Sequence, residues 1–224
     1  MIACLLLQFA LKSVKFYILN GILTLMKICV FCGSSHGTGQ DYRDAAENLA
    51  RIFLEREIGL IYGGARVGLM GTIASAIHRQ NGEIIGVIPE TLLKKEIAYT
   101  DLSDLRIVHT MHERKALMFK LADGFIALPG GLGTIEELFE VLTWAQLGMH
   151  SKPCGILNIN GYFNNLVKFL EHAINENFMD LECLKMVLID KNPERLIKKM
   201  IIYEPPKFDK VRRALEKLNI LSNR

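Results

Sequence analysis

Residues 128 to 137 read LPGGLGTIEE. An apolar run enters three glycines, Gly130, Gly131 and Gly133, with Leu132 between them, and is followed at once by Thr134, Glu136 and Glu137. Glycine permits close backbone approach, and a helix opening after it offers unpaired N–H groups and the positive end of its dipole, so the turn suits an anion. A carboxylate beside an anion is costly unless a cation offsets it or it serves another part of the same ligand. Cations stand upstream, in the stretch MHERKA, as Arg114 and Lys115. A ligand with a phosphate at one end and a carboxylate-demanding reaction a short way off fits both halves, and a nucleoside 5′-monophosphate is such a ligand. The structural alternative is a capping box, with Thr134 as N-cap and Glu137 at the third helical position. A cap explains Glu137 alone, and leaves the glycines and the upstream arginine unexplained.

Two further turns follow apolar runs: CGSSHG at 32 to 37, which holds Gly33 and Ser34, and YGGARVGLMG at 62 to 71. In a parallel sheet all three turns share one rim, and together they read as a phosphate cradle. Neither the first nor the second matches the G-x-G-x-x-G fingerprint or the Walker lysine motif, which disfavours a dinucleotide enzyme or an NTPase.

The elements that must position these turns alternate. KICVFCG is a strand and 41 to 56 a helix; IGLIYGG is a strand and 68 to 80 a helix; EIIGVIP is a strand. A longer polar stretch leads through a short strand and a helix into GFIALPGG. A helix over 134 to 147, the strand KPCGILNI, a helix over 162 to 176, the strand MVLID and a helix opening at Pro193 complete the series. Near-continuous apolar strands alternating with amphipathic helices predict an α/β, doubly wound, Rossmann-like parallel sheet with helices on both faces in a single domain. Such sheets bind ligands at the carboxyl ends of the strands, where strand order reverses. The domain is expected over 26 to 203, with a C-terminal helical tail over 204 to 224. The apolar first 25 residues lack a basic start and a small-residue cleavage site, and Lys12 and Lys15 interrupt them. They read as an upstream extension or a misassigned start rather than a signal peptide or membrane anchor.

A net charge of +3 with dispersed Lys and Arg gives no footprint for nucleic acid. Cys29 and Cys32 form C-x-x-C inside a strand, where an offset of three sends them to opposite faces, so no shared metal is expected. Five cysteines without a framework suit a reducing cytoplasm. His109, His112 and His150 read as helix and loop surface, and no metal site is expected.

MHERK at 111 to 115 and PGGLGTIEE at 129 to 137, with FCGSS, YGG, VGLMG, VIP and TWAQLG in order, resemble the LOG family of cytokinin riboside 5′-monophosphate phosphoribohydrolases. Members of that family have often carried the label "lysine decarboxylase". The resemblance runs from Met26 to about Ile201. It implies hydrolysis of the N-glycosidic bond of AMP or an N6-substituted AMP, a homodimer and no cofactor. It places Arg114 and Glu137 on the catalytic pair, Lys115 beside them, and Gly131, Leu132, Gly133 and Thr134 on the substrate loop. Glu96 and Thr143 match further substrate contacts, and Gly33, Ser34, Gly130 and Glu136 complete the expected site. His36 stands where proline is usual. Glycosidic hydrolysis passes through an oxocarbenium-like state, so a carboxylate under the sugar is the expected role of Glu137. The rival readings are a nucleotide-binding carrier or sensor, which would not need Arg114 with Glu137, and a pyridoxal phosphate decarboxylase, for which Lys115 would have to form the Schiff base.

Overall fold

The computed structural model describes residues 26–93 and 98–206, and the backbone of 17–19 and 22–24. Strands β1 (Tyr17–Leu19) and β2 (Ile22–Thr24) pair antiparallel. The remaining strands are β3 (Lys27–Phe31), β4 (Gly59–Tyr62), β5 (Ile84–Pro89), β6 (Leu105–Val108), β7 (Gly124–Ala127), β8 (Cys154–Leu157) and β9 (Val187–Asp190). They form one parallel sheet in the order β6-β5-β4-β3-β7-β8-β9.

Period-two alternation sorts β3 onto two cores. Ile28, Val30 and Cys32 join an apolar cluster with α1 (Gln40–Glu55), α2 (Gly68–His78) and α8 (Pro193–Ile201). Cys29 and Phe31 join another, built with Met118 of α4 (Met111–Leu121) and Val141 of α5 (Leu132–Gln146). The sheet is thus covered on both faces, and Cys29 and Cys32 point apart as their spacing requires. Buried on both sides, β4, β5, β7 and β8 can be apolar throughout.

The chain lays down β3 to β6 in one direction, then returns to place β7 on the free side of β3 and continues outward to β9. Strand order therefore reverses between β3 and β7, and the first and third glycine turns are the segments that follow those two strands.

Two short helices, α3 (Glu90–Leu93) and α7 (Leu181–Lys185), were not anticipated. The helix expected from 162 is α6 (Asn164–Asn175), preceded by a 3-10 turn, Ile159–Gly161, in which Asn160 has φ 51° and Gly161 φ 70°. Most of the expected C-terminal tail, 207 to 224, lies outside the described residues, as do the side chains of 1 to 25. No helix among the described residues is long and apolar enough to cross a membrane.

Candidate active site

The first and third turns interlock. Gly33 N–H donates to the Pro129 carbonyl at 3.0 Å. A Cβ on Gly130 would fall well inside 3.0 Å of Thr134 Oγ1 and Gly33 N, so glycine is the residue that fits. Gly131 and Gly133 differ: a Cβ on either would meet nothing within 4 Å, and neither has positive φ. The fold does not ask for glycine there. Bare backbone at these positions keeps the N-terminus of α5 open, where the first N–H groups have no intrahelical acceptor.

The second turn of the expected cradle is packed differently from the other two. Leu69 N–H, at the start of α2, donates to the Gly33 carbonyl at 3.0 Å. Gly68, at φ +58°, abuts the Ser34 backbone so closely that no Cβ could intervene. These glycines are spent on packing one turn against another.

The capping box is also corrected. Helix α5 starts at Leu132 with Gly131 as N-cap, extended at φ −91° and ψ −152°, and Gly131 O accepts from Ile135 N at 3.2 Å. Thr134 is the third helical residue and Glu137 lies in the second turn. The same Thr-x-x-Glu signature does cap a helix elsewhere: Thr110 Oγ1 accepts from Glu113 N at 3.1 Å, and Glu113 Oε2 accepts from His109 N at 2.9 Å. That cap fixes the start of α4, the helix that carries Arg114.

Freed from capping, Glu137 faces Arg114. Arg114 Nη1 donates to Glu137 Oε1 at 2.8 Å, and Arg114 Nε donates to the Val87 carbonyl at 3.1 Å. The two side chains are only 11% and 10% exposed. Glu137 and Thr134 are the buried polar residues among those described. Burial raises the Glu137 pKa above the ordinary carboxylate value, and Arg114 pulls it the other way. The pair lines a cleft of about 230 Å³ with Gly33, Ser34, Gly131, Leu132, Gly133 and Thr134, and with Val30, Cys32, Gly63 and Met70, to none of which the sequence gives a role of its own in binding substrate. Leu132 stands at its mouth, 91% exposed. Cys32 is no nucleophile there, because burial and then Glu137 push its thiol pKa well up.

Other expected residues lie elsewhere. Lys115 and Glu136 pair with each other, and Lys115 Nζ also donates to Glu140 Oε1 at 3.0 Å. One step along a helix is about 100°, which turns Lys115 away from Arg114 and Glu136 away from Glu137. Thr143 is exposed, six residues beyond Glu137 on α5 and about 120° round it. Glu96 lies outside the described residues. His150 is not surface: half-buried against the rings of Phe119 and Phe125, it donates from Nε2 to the Val141 carbonyl at 2.8 Å and accepts from Lys152 N at 3.0 Å. A residue the sequence did not flag, Tyr162, donates its hydroxyl to the Gly130 carbonyl at 2.6 Å and braces the glycine turn from outside.

The cleft thus combines an open helix N-terminus for an anion, a buried carboxylate of raised pKa, and an arginine locked to it. Comparison with known proteins sets the chain among its relatives. A family model described as "Possible lysine decarboxylase" matches residues 70–200. Two cytokinin riboside 5′-monophosphate phosphoribohydrolases of Arabidopsis thaliana are each 46% identical, one over 185 residues covering 83% of this chain and 85% of its own, the other over 179 residues covering 80% and 83%. Among solved structures, a molybdenum cofactor binding protein of Rippkaea orientalis aligns with TM-score 0.58 at 22% identity over 79% of this chain and 97% of that one. The molybdenum cofactor carrier protein of Chlamydomonas reinhardtii aligns with TM-score 0.59 at 18% identity over 80% and 99%. These structural likenesses are of fold. A pyridoxal phosphate decarboxylase would need a neutral lysine amine. Lys115, beside the cleft, does not fit that group: its hydrogen bond to Glu136 foremost, then Glu140, raises its pKa and keeps it an ammonium.

Proposed function

The chain belongs to the LOG family of cytokinin riboside 5′-monophosphate phosphoribohydrolases, and from that premise we propose that it hydrolyses the N-glycosidic bond of AMP or of N6-substituted, cytokinin-type riboside 5′-monophosphates, releasing free base and ribose 5-phosphate. The observation that carries the reading is the buried Arg114–Glu137 pair set against the open N-terminus of α5. A passive nucleotide carrier needs the open N-terminus but not the pair, whose burial is costly without a task.

The phosphate sits on the backbone N–H groups from Gly131 to Thr134, which places the ribose over Glu137. As the bond from C1′ to the base nitrogen breaks, positive charge grows on the sugar and negative charge on the base. Ionised Glu137 stabilises the first and orients the attacking water. The water oxygen bonds to C1′, and its proton balances the charge of the leaving base. Arg114 keeps Glu137 in place and ionised, and is the cation the cleft offers to the rest of the substrate. Removing a preorganised charge of this kind typically costs about 10²–10³ in rate.

A homodimer completes the proposal. Thr143 is exposed in one protomer and so is available to a second copy, and Glu96 is the other contact we assign to substrate by family likeness. Purified protein incubated with AMP should yield adenine and ribose 5-phosphate, while adenosine, lacking the phosphate, should be cleaved far more slowly. Equal rates on the two would remove the helix N-terminus from the mechanism, and failure to release either adenine from AMP or N6-prenyladenine from N6-prenyl-AMP would favour the carrier. A monomer in sedimentation that turns over AMP would refute the dimer.

A further inference from the structure

Gly63 directly follows β4 and belongs to the turn read from sequence as part of a phosphate cradle. Its φ is not in the left-handed region, so backbone conformation would admit alanine. Space would not. A Cβ on Gly63 would fall well inside 3.0 Å of Arg114 Nη2, and would lie 3.3 Å from Arg114 Cζ and 3.1 Å from Met70 Sδ. The neighbouring Gly64 is glycine for a different reason, a φ of +74°.

The end of an arginine side chain usually swings aside at little cost. Here it is held: Nε by the Val87 carbonyl at 3.1 Å, Nη1 by Glu137 at 2.8 Å, with Met111 Sδ at 3.3 Å from the same nitrogen. The helix behind it is fixed by the Thr110 cap. A methyl group at position 63 must therefore break one of these holds. We infer that Gly63 is a positioning residue, the bare seat on which the Arg114 guanidinium lies and which sets its geometry toward Glu137 and substrate. The inference rests on the proposed reading for its effect on turnover, and on the contact alone for its effect on stability.

The test is a double-mutant cycle of Gly63→Ala and Arg114→Ala, read by AMP turnover and by thermal melting. A displacement of about 1 Å in a catalytic group can cost about a hundredfold, so Gly63→Ala should lower kcat on that scale. With Arg114 already removed, the added methyl meets only the flexible Met70 side chain, 3.1 Å from its Sδ, and Gly63→Ala should change both kcat and Tm little. Millimolar guanidinium should restore part of the activity of Arg114→Ala, and should fail in the double variant, where the methyl fills the seat. Equal losses from Gly63→Ala in both backgrounds, in kcat and in Tm, would overturn the inference. Wild-type turnover in Arg114→Ala would instead overturn the functional reading, and the melting cycle would still decide whether Gly63 seats the arginine.

Discussion

Glu137→Gln separates the catalytic reading of the cleft from a structural one. Glu137 is 8% exposed and accepts from Arg114 at 2.8 Å. Glutamine keeps an oxygen that can accept the same bond, so shape survives and charge is lost. A hydrogen bond with a charged partner is worth about 1.5–3 kcal/mol, and because the guanidinium stays charged the exchange moves the bond within that range, which puts the stability loss at about 1 kcal/mol. The amide is also cheaper to bury than the carboxylate, whose raised pKa records that cost, and this offsets part of the loss. At about 2–4 °C per kcal/mol for a chain of this size, Tm should shift by no more than about 4 °C. Loss of the charge opposite a cationic sugar should lower turnover by about 10²–10³, or about 2.7–4 kcal/mol of transition-state stabilisation. The assay is adenine release at saturating AMP, with melting curves on the same samples. Glu136→Gln is the control: Glu136 is half exposed and tied to Lys115, and its loss should leave most activity. Near-normal turnover in Glu137→Gln would show that the pair is structural and that the chemistry lies elsewhere on the rim.

Because burial holds the Glu137 pKa above its ordinary 4.5 and the ionised form does the work, the acid limb of the pH–rate profile should lie above pH 4.5 and move higher still in Arg114→Ala, which removes the opposing influence. In stability the sign reverses: a carboxyl whose folded pKa is raised favours the fold when protonated, a contribution present below its ordinary value of 4.5 and lost as pH rises through the folded value, so pH-dependent melting should show a step that Glu137→Gln lacks. Among the glycines, Gly130→Ala should destabilise the protein by about 1–3 kcal/mol, since Thr134 and the Gly33 backbone leave no room. Gly131→Ala and Gly133→Ala should leave Tm unchanged and raise KM for AMP; unaltered KM in both would mean the phosphate binds elsewhere.

The sheet was legible because a parallel sheet buried on both faces demands apolar runs, and the run KICVFC alternates cleanly between two cores. Arg114 and Glu137 were legible as residue types, but their pairing depends on strand order, with β3 between β4 and β7, and sequence does not write strand order. Two misreadings share a physical origin. Thr-x-x-Glu occurs at 110 and again at 134, and only the first is a cap. At the second the extended Gly131 starts the helix earlier, and a glycine N-cap costs a helix only a few tenths of a kcal/mol. Likewise glycine looks the same in sequence whether it opens a backbone, adopts positive φ or makes room for a neighbour. Gly131, Gly64 and Gly63 do these three things in turn. Lys115 was grouped with Arg114 by adjacency, yet adjacent helical residues diverge, and its partners Glu136 and Glu140 lie together on one face of α5 at the i, i+4 spacing.

The remaining puzzle is a carboxylate set close behind an anion site, and α5 resolves it with one further consequence. Its first N–H groups and Glu137 lie on a single rigid helix, with Gly133 four residues ahead of Glu137, a rise of about 6 Å. Across that distance two like unit charges repel by about 3 kcal/mol at an effective dielectric constant of about 20. Arg114, bonded to Glu137, supplies attraction over a comparable range, so the cleft tolerates both negative groups without favouring the ground state. Removing one member unbalances it. Glu137→Gln should therefore bind AMP more tightly than the unsubstituted protein even as it turns AMP over more slowly, whereas its affinity for uncharged adenosine should not change. Arg114→Ala should weaken AMP binding. Titration calorimetry at low and high salt reads this directly, and the tightening should persist at high salt because the pair is buried. Unchanged or weaker AMP affinity in Glu137→Gln would place the phosphate away from the N-terminus of α5, since at that site the lost repulsion has to appear as gained affinity.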